Sequence, residues 1–217
     1  MTLYNVYEQQ NFKEFNFSEF GDICKLYNIN GLTRKQCFIT SSQNCKQELR
    51  LLDIELKQLV HIKPANLNFI DDDVIAKHGI FFGRFSNPLD EGADTKLGMK
   101  IYQQLLSKQL NWLINFFEYI HSYLSKRVSA GKYLTNHDVM RINLAEVIED
   151  IKLAQTLFLN EASLDSLRAI SKIILRAVKN LANCAGGRSF AGGNILEIFW
   201  LMSLLNEFII GEDKNVY

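Results

Sequence analysis

The sequence predicts a mainly α-helical protein: an up-and-down four-helix bundle with a small, irregular, β-containing segment at its N-terminus. Three observations carry that expectation. The only two prolines, Pro64 and Pro88, lie in the first 88 residues. Beyond Pro88 only glycine interrupts helical sequence, and the glycines gather at 92–98, 131, 186–193 and 211. Between those clusters apolar residues recur at three- and four-residue steps, whereas residues 1–88 are rich in phenylalanine and tyrosine and weak in helical period. The expected division is a small N-terminal segment over 1–88 and the bundle over 89–217.

In the N-terminal segment, "QELRLLDIELKQLVHI" alternates Leu52, Ile54 and Leu56 with Asp53 and Glu55, which leans towards strand. "IAKHGIFFGRF" reads as a second strand with a turn. The first long helix is expected from about Asp94 to Arg127, roughly 50 Å at the helical rise. Its stripe is Leu97, Ile101, Leu105, Leu113, Phe116, Phe117, Ile120 and Leu124. The second, capped by Thr135 or Asn136, carries Val139, Ile142, Leu144, Val147, Ile148, Ile151, Ala154, Leu157 and Phe158. The third, capped by Ser163, buries Leu167, Ile170, Ile173, Ile174, Ala177, Val178 and Leu181. The fourth, about Asn194 to Ile210, is apolar nearly all round and needs cover on most sides. Short joints between antiparallel helices make the bundle up-and-down.

Composition excludes several functions. The chain has 217 residues, 47% of them hydrophobic, with 24 basic and 24 acidic side chains. No segment concentrates Lys and Arg, so nucleic acid and membrane surfaces are not expected partners. The N-terminus lacks the pattern of a secretory signal. The greasiest run, "ILEIFWLMSLLNEFII", is interrupted by Glu197, Asn206 and Glu207 and reads as a buried helix rather than a membrane span. Cys24, Cys37, Cys45 and Cys184 have no metal-ligand spacing and read as free thiols of a cytoplasmic protein. No metal site is expected. Asp71, Asp72 and Asp73 read as a solvated acidic turn, and His121 and His137, which flank Arg127, as helix residues making one hydrogen bond each.

The stretch "NCAGGRSFAGGN" (183–194) holds four glycines around an arginine. Glycines let backbone N–H groups approach a phosphate, and they also make tight turns between helices. From spacing alone the turn is the more frequent use.

Four motifs in order give the chain a resemblance to the C-terminal helical domain of the acyl-CoA dehydrogenases, over about residues 80–211. Asn87, Leu89, Glu91 and Gly92 match the entry to that domain's long helix. Arg127, Ala130, Gly131 and Leu134 match its Arg-x-x-Phe-Gly-x-x-Leu turn. Asn136, His137 and Asp138 match the step opening the next helix, and Asn183, Gly186, Gly187, Ser189 and Phe190 match a Gln-x-x-Gly-Gly loop. The resemblance implies that Arg127, Ser129, Gly131, Asn183, Gly186 and Gly187 face the diphosphate and adenosine end of FAD held by a neighbouring subunit. A guanidinium suits a phosphate through charge-assisted, often bidentate bonding. With the resemblance, turn and flavin contact stand level. The reaction implied is α,β-dehydrogenation of an acyl thioester, in which a base takes the α-proton and FAD the β-hydride.

The departures from the family pattern are specific. Ala130 replaces a bulky aromatic, and Asp138 and Asn183 replace glutamines. Gln109 stands where an arginine is frequent, and Leu201 and Met202 where an Arg-Asp pair is usual. Ile210 aligns with the common catalytic glutamate; Glu212 is out of register and Glu207 lies a turn upstream. No catalytic residue is therefore expected in this chain, and 88 residues are too few for the family's other two domains. Two readings follow: a truncated dehydrogenase-like chain that completes an FAD site in a homo-oligomer or with a longer dehydrogenase-like chain, or an inactive helical scaffold that kept the bundle and lost flavin chemistry.

Overall fold

A computed structural model describes residues 19–34, 37–41, 49–53, 58–63, 67–70, 76, 80–85, 95–159, 163–186 and 201–205. The chain divides into two compact units, and among the described residues the division falls within helices, between Leu106 and Ser107 and again between Ser203 and Leu204. The architecture is a mainly helical C-terminal bundle with a β-sheet segment before it, as the sequence predicts.

The sheet unit begins with a short helix, α1 (Glu19–Leu26), whose Phe20, Ile23 and Cys24 are buried. Asn28, at φ 52°, ends it in the left-handed conformation that asparagine tolerates. Ile29 N–H donates to the Cys24 carbonyl at 2.9 Å and Asn28 N–H to that of Lys25 at 3.1 Å, so two late helical carbonyls find donors. Six strands follow: β1 (Gly31–Arg34), β2 (Cys37–Thr40), β3 (Leu49–Asp53), β4 (Gln58–Ile62), β5 (Leu67–Ile70) and β6 (Phe81–Phe85). They form one sheet in the order β4-β3-β1-β2-β6-β5. All neighbours are antiparallel except β1 and β3, which run parallel.

Asn30, just before β1, ties the start of β1 to the start of β3 and the end of β2. Its N–H donates to the Arg50 carbonyl at 2.7 Å, and its Oδ1 accepts from Arg50 N–H at 2.8 Å. Its own carbonyl accepts from the Thr40 hydroxyl at 2.8 Å. One face of the sheet buries Phe38, Leu49, Leu51, Val60, Ile62 and Phe85 together. Within it Phe38, Gly83 and Phe69 stand in one row across β2, β6 and β5. The two rings meet edge to face at 5.3 Å over the bare glycine. A methyl at Gly83 would lie 2.5 Å from the Phe38 ring and 2.6 Å from the Asn68 carbonyl oxygen, so only glycine fits the row.

Within "QELRLLDIELKQLVHI" the described residues form two strands, β3 and β4. Ile54, Glu55 and Leu56 of the expected alternation lie outside the described residues, and Leu52 and Asp53 are both buried rather than alternating. "IAKHGIFFGRF" contains β6. The expected first helix is α2 (Thr95–Ser125). In the helical unit its C-terminal part buries Leu110, Trp112, Leu113, Phe116, Ile120 and Leu124. A two-strand hairpin, β7 (Val128–Ser129) and β8 (Lys132–Tyr133), and a 3-10 turn at Leu134–Asn136 lead into α3 (Asp138–Leu159). Neither Thr135 nor Asn136 occupies the cap position. His137 does: its backbone is extended (φ −80°, ψ 133°) and its carbonyl accepts the first helical bond, from Arg141 N–H at 2.9 Å.

Ser163 caps α4 (Leu164–Cys184) as expected, its Oγ accepting from Ser166 N–H at 3.1 Å. Along α4 Leu167, Ile170, Ile174, Ala177, Val178 and Leu181 are fully buried, at the steps that put them on one face. α3 answers with Leu144, Val147, Asp150, Ile151 and Ala154. The wider stripe expected on α3 is corrected at three positions. Val139, Ile142 and Ile148 are exposed, at 68%, 58% and 38%, because the side chains at 144, 147, 151 and 154 already fill the arc turned to the bundle. Asp150 and Arg176, 26 residues apart and centred on Ser163, tie α3 to α4 by a two-pronged ion pair. Of the fourth helix only 201–205 are described, and they are helical with Leu201, Met202 and Leu205 buried.

Candidate functional site

Arg127, Ser129 and Gly131, three of the expected cofactor-contacting residues, come together on the β7/β8 hairpin. α2 ends at Ser125, and Arg127 N–H still reaches back to the Leu124 carbonyl at 3.2 Å. Leu134 N–H donates to the Arg127 carbonyl at 2.8 Å and closes the base of the hairpin. The turn itself consists of Ala130 (φ 49°) and Gly131 (φ 77°). Two successive left-handed residues make the tight turn that matches the twist of paired strands. Glycine meets this requirement freely, and alanine does so at a cost of about 1 kcal/mol. A Cβ built on Gly131 would meet nothing within 4 Å, so the turn faces open space.

Two side chains hold this hairpin in place. The Arg127 guanidinium lies over the Tyr123 ring, its Cζ 4.4 Å from the centroid, a cation–π arrangement that fixes the charge without neutralising it. Tyr123 precedes Arg127 by four residues, which brings both onto one side of the helix end. The His137 ring contacts the Ser129 carbonyl at 3.0 Å through Nε2. A carbonyl only accepts, so Nε2 carries the proton and donates. His137 thus joins the hairpin to the first turn of α3.

The hairpin is electropositive. Lys126, Arg127 and Lys132 lie within seven residues, against Asp138 in the first turn of α3. Among the described residues none of the three cations enters an ion pair. Asp138 sits where the helix N-terminus favours a negative charge.

Asn183 and Gly186 lie on a different element, at the end of α4, where the neighbouring Cys184 hydrogen-bonds Asn143 of α3. Asn183 is exposed on its last turn, and Gly186 (φ 65°) stops the helix in the left-handed conformation. That is the structural use of a glycine after a helix, and it gives the first glycine of "NCAGGRSFAGGN" a turn-forming task. Gly187, the remaining expected contact, lies outside the described residues, as do Ser189 and Phe190, the acidic run 71–73 and residues 206–217. Tyr123 and the hairpin-fixing role of His137 are missed by motif reading. The i, i+4 spacing of Tyr123 and Arg127 was the available signal for the first. Leu201 and Met202, where the family pattern places an Arg-Asp pair, are both completely buried.

Among the described residues no group of three His, Cys, Asp or Glu side chains could hold a metal, and no helix is long and apolar enough to cross a membrane.

No protein-family model and no curated protein matches the sequence. Solved structures match the fold. The Tcur3481-Tcur3483 steroid ACAD aligns over 82% of this chain and 56% of its own, with a TM-score of 0.56 at 13% identity. FkbI, for biosynthesis of the methoxymalonyl extender unit of the polyketide Fk520, aligns over 87% and 63%, with a TM-score of 0.55 at 10% identity. A putative acyl-CoA dehydrogenase from Mycobacterium smegmatis aligns over 84% and 62%, with a TM-score of 0.52 at 8% identity. The chain therefore shares the acyl-CoA dehydrogenase fold over most of its own length and spans less than two thirds of these proteins.

Proposed function

We propose that this chain is an acyl-CoA dehydrogenase-like protein that supplies part of an FAD site across a subunit interface, as a homo-oligomer or beside a longer dehydrogenase-like chain. The observation that carries this reading is the Arg127 guanidinium, set over Tyr123 and unpaired with any acid among the described residues. A cation positioned in this way, beside a turn open to solvent, fits one face of a diphosphate. Arg127 would grip phosphate oxygens, with Ser129 and Gly131 offering hydroxyl and backbone N–H. Asn183, Gly186 and Gly187 would let a second stretch of backbone approach. FAD, when bound, supplies the hydride acceptor for dehydrogenation of an acyl thioester. This chain's part is to hold and orient the cofactor's diphosphate end, while the base and the rest of the cradle come from the partner. The six-stranded sheet, within the 1–88 segment, is read as the counterpart of the family's β-domain and 89–217 as its helical domain, in a cytoplasmic assembly.

A second reading, a scaffold without flavin chemistry, is favoured by Leu201 and Met202. Both are fully buried apolar residues where the family pattern has charges. The visible spectrum of the purified protein, taken before and after FAD addition and desalting, together with its native mass, separates the two. Retained flavin in an oligomer, lost in Arg127→Ala, supports the flavin reading. A colourless oligomer that ignores FAD, alone and mixed with a full-length dehydrogenase, refutes it and leaves the scaffold.

A further inference from the structure

On the opposite flank of α2 from Tyr123, the helical unit has a groove of about 460 Å³ that the flavin reading does not use. Phe117 and His121 of α2 form one wall, Thr135 of the 3-10 turn closes one end, and Arg141, Leu144, Ala145 and Ile148 of α3 form the other wall. The spacing is that of two helix faces: i, i+4 on α2, and i, i+3, i+4, i+7 on α3. Phe117 and His121 stack nearly parallel, 22° apart with centroids at 5.9 Å, and make a flat aromatic shelf. Ile148 is 38% exposed on the facing wall. Ala145 is the smallest side chain lining the groove, and its size keeps the middle open.

The fixed charge of the groove is the Arg141 guanidinium. Arg141 and His121 are the titratable residues lining it, and no carboxylate does. Among the described residues the Arg141 guanidinium has no ion pair or side-chain hydrogen bond. Thr135 adds a hydroxyl. The volume lies in the range of small-molecule sites, and so does the composition, apolar with a few convergent polar groups.

We propose that this groove binds a small aromatic carboxylate. The ring would lie between the Phe117/His121 shelf and the Leu144–Ile148 wall, and the carboxylate would meet Arg141 and Thr135. The flat shelf and open length of the groove suit a planar ring better than an extended acyl chain, which needs an enclosed tunnel to bury its length. The unpaired guanidinium selects the charge.

The test uses the full chain, indole-3-acetate as the probe and indole-3-acetamide as its uncharged control, with binding followed by amide chemical shifts. Saturable shifts at Thr135, Arg141, Ala145 and Ile148 are expected with the acetate, and weaker binding with the amide. Arg141→Gln should weaken the acetate roughly tenfold and change the amide little. Ala145→Leu, a good helix former at an exposed position, should fill the groove and abolish both. Thermal melts of both variants show that they fold. The proposal is overturned if shifts are absent or fall elsewhere, if acid and amide bind the native protein alike, or if Ala145→Leu still binds. The acid–amide comparison on the native protein does not depend on either variant.

Discussion

Replacing Gln109 with leucine should stabilise this protein, the reverse of the usual effect of changing a buried residue. Gln109 lies in α2 and is 1% exposed, and neither its Oε1 nor its Nε2 has a hydrogen-bond partner. Its neighbours one turn away on the helix, Leu105, Leu106, Trp112 and Leu113, are all buried and largely apolar. An unsatisfied buried polar group costs about 1–3 kcal/mol. Leucine removes the whole amide, keeps nearly the same bulk and is at least as good a helix former. Repacking around the branched side chain takes back up to about 1.5 kcal/mol. The net expectation is a gain centred on about 1 kcal/mol, a rise in Tm of roughly 2–4 °C for a chain of this size. Urea unfolding followed by circular dichroism measures it, with an unchanged m-value as the sign that only stability moved. Gln109→Glu, which places a charge in the same apolar setting, should fall below the native protein. If Gln109→Leu is neutral or destabilising, the amide is paired in solution, and the argument from an orphaned buried amide fails.

Three further outcomes follow from the structure. Arg176→Ala should cost more than Asp150→Ala, roughly 2–4 against about 1–2 kcal/mol by urea unfolding. The Asp150 side chain is 7% exposed and is left buried and unpaired, whereas Arg176, 60% exposed, can turn to water; that exposure already lowers the first figure through solvent screening, and a reversed order would refute it. Burial pushes the Cys24 thiol up from 9.0 to about 12. The unfolded thiol therefore ionises first, and stability should be unaffected below about pH 9 and fall towards pH 12 by up to about 1.4 kcal/mol per unit. Cys184, also raised by burial, acts in the same direction, and unfolding curves on Cys24→Ala should show a flatter alkaline limb. Ala130→Gly, at φ 49°, should raise stability by about 0.5–1 kcal/mol, and a loss would mean that the alanine methyl makes a contact worth more than the strain.

The helices were the legible part of this sequence, and the reason is local. α2 runs Thr95–Ser125 against an expectation of 94–127 because a regular apolar step and a glycine at its far side specify it without reference to anything distant. Ser163 caps α4 for the same reason. α3 shows where period alone fails. Val139 and Ile142 match the helical step as well as Val147 does, yet they are exposed, since periodicity does not state how wide an arc the neighbours cover.

The sheet was legible only in pieces, because its strands are four or five residues long and their partners are chosen far along the chain. The parallel pairing of β1 with β3, skipping β2, leaves no mark in either strand. The reason for Gly83 shows only where Phe38 and Phe69 meet across it.

The candidate site divides on the same line. Of the six residues that motif reading selected, Arg127, Ser129 and Gly131 share one hairpin, Asn183 and Gly186 stand at the end of α4, and Gly187 lies outside the described residues. What makes that hairpin a defined object is Tyr123 beneath the guanidinium and His137 on the Ser129 carbonyl. Asp138 adds a constraint that the resemblance alone does not resolve. At the start of α3 it favours the helix, while a diphosphate at the neighbouring hairpin would meet it as a like charge, opposed by Lys126, Arg127 and Lys132. Three cations against one carboxylate leave the hairpin net positive, so an anion there remains electrostatically favoured, with an affinity that must fall as salt screens the exposed charges.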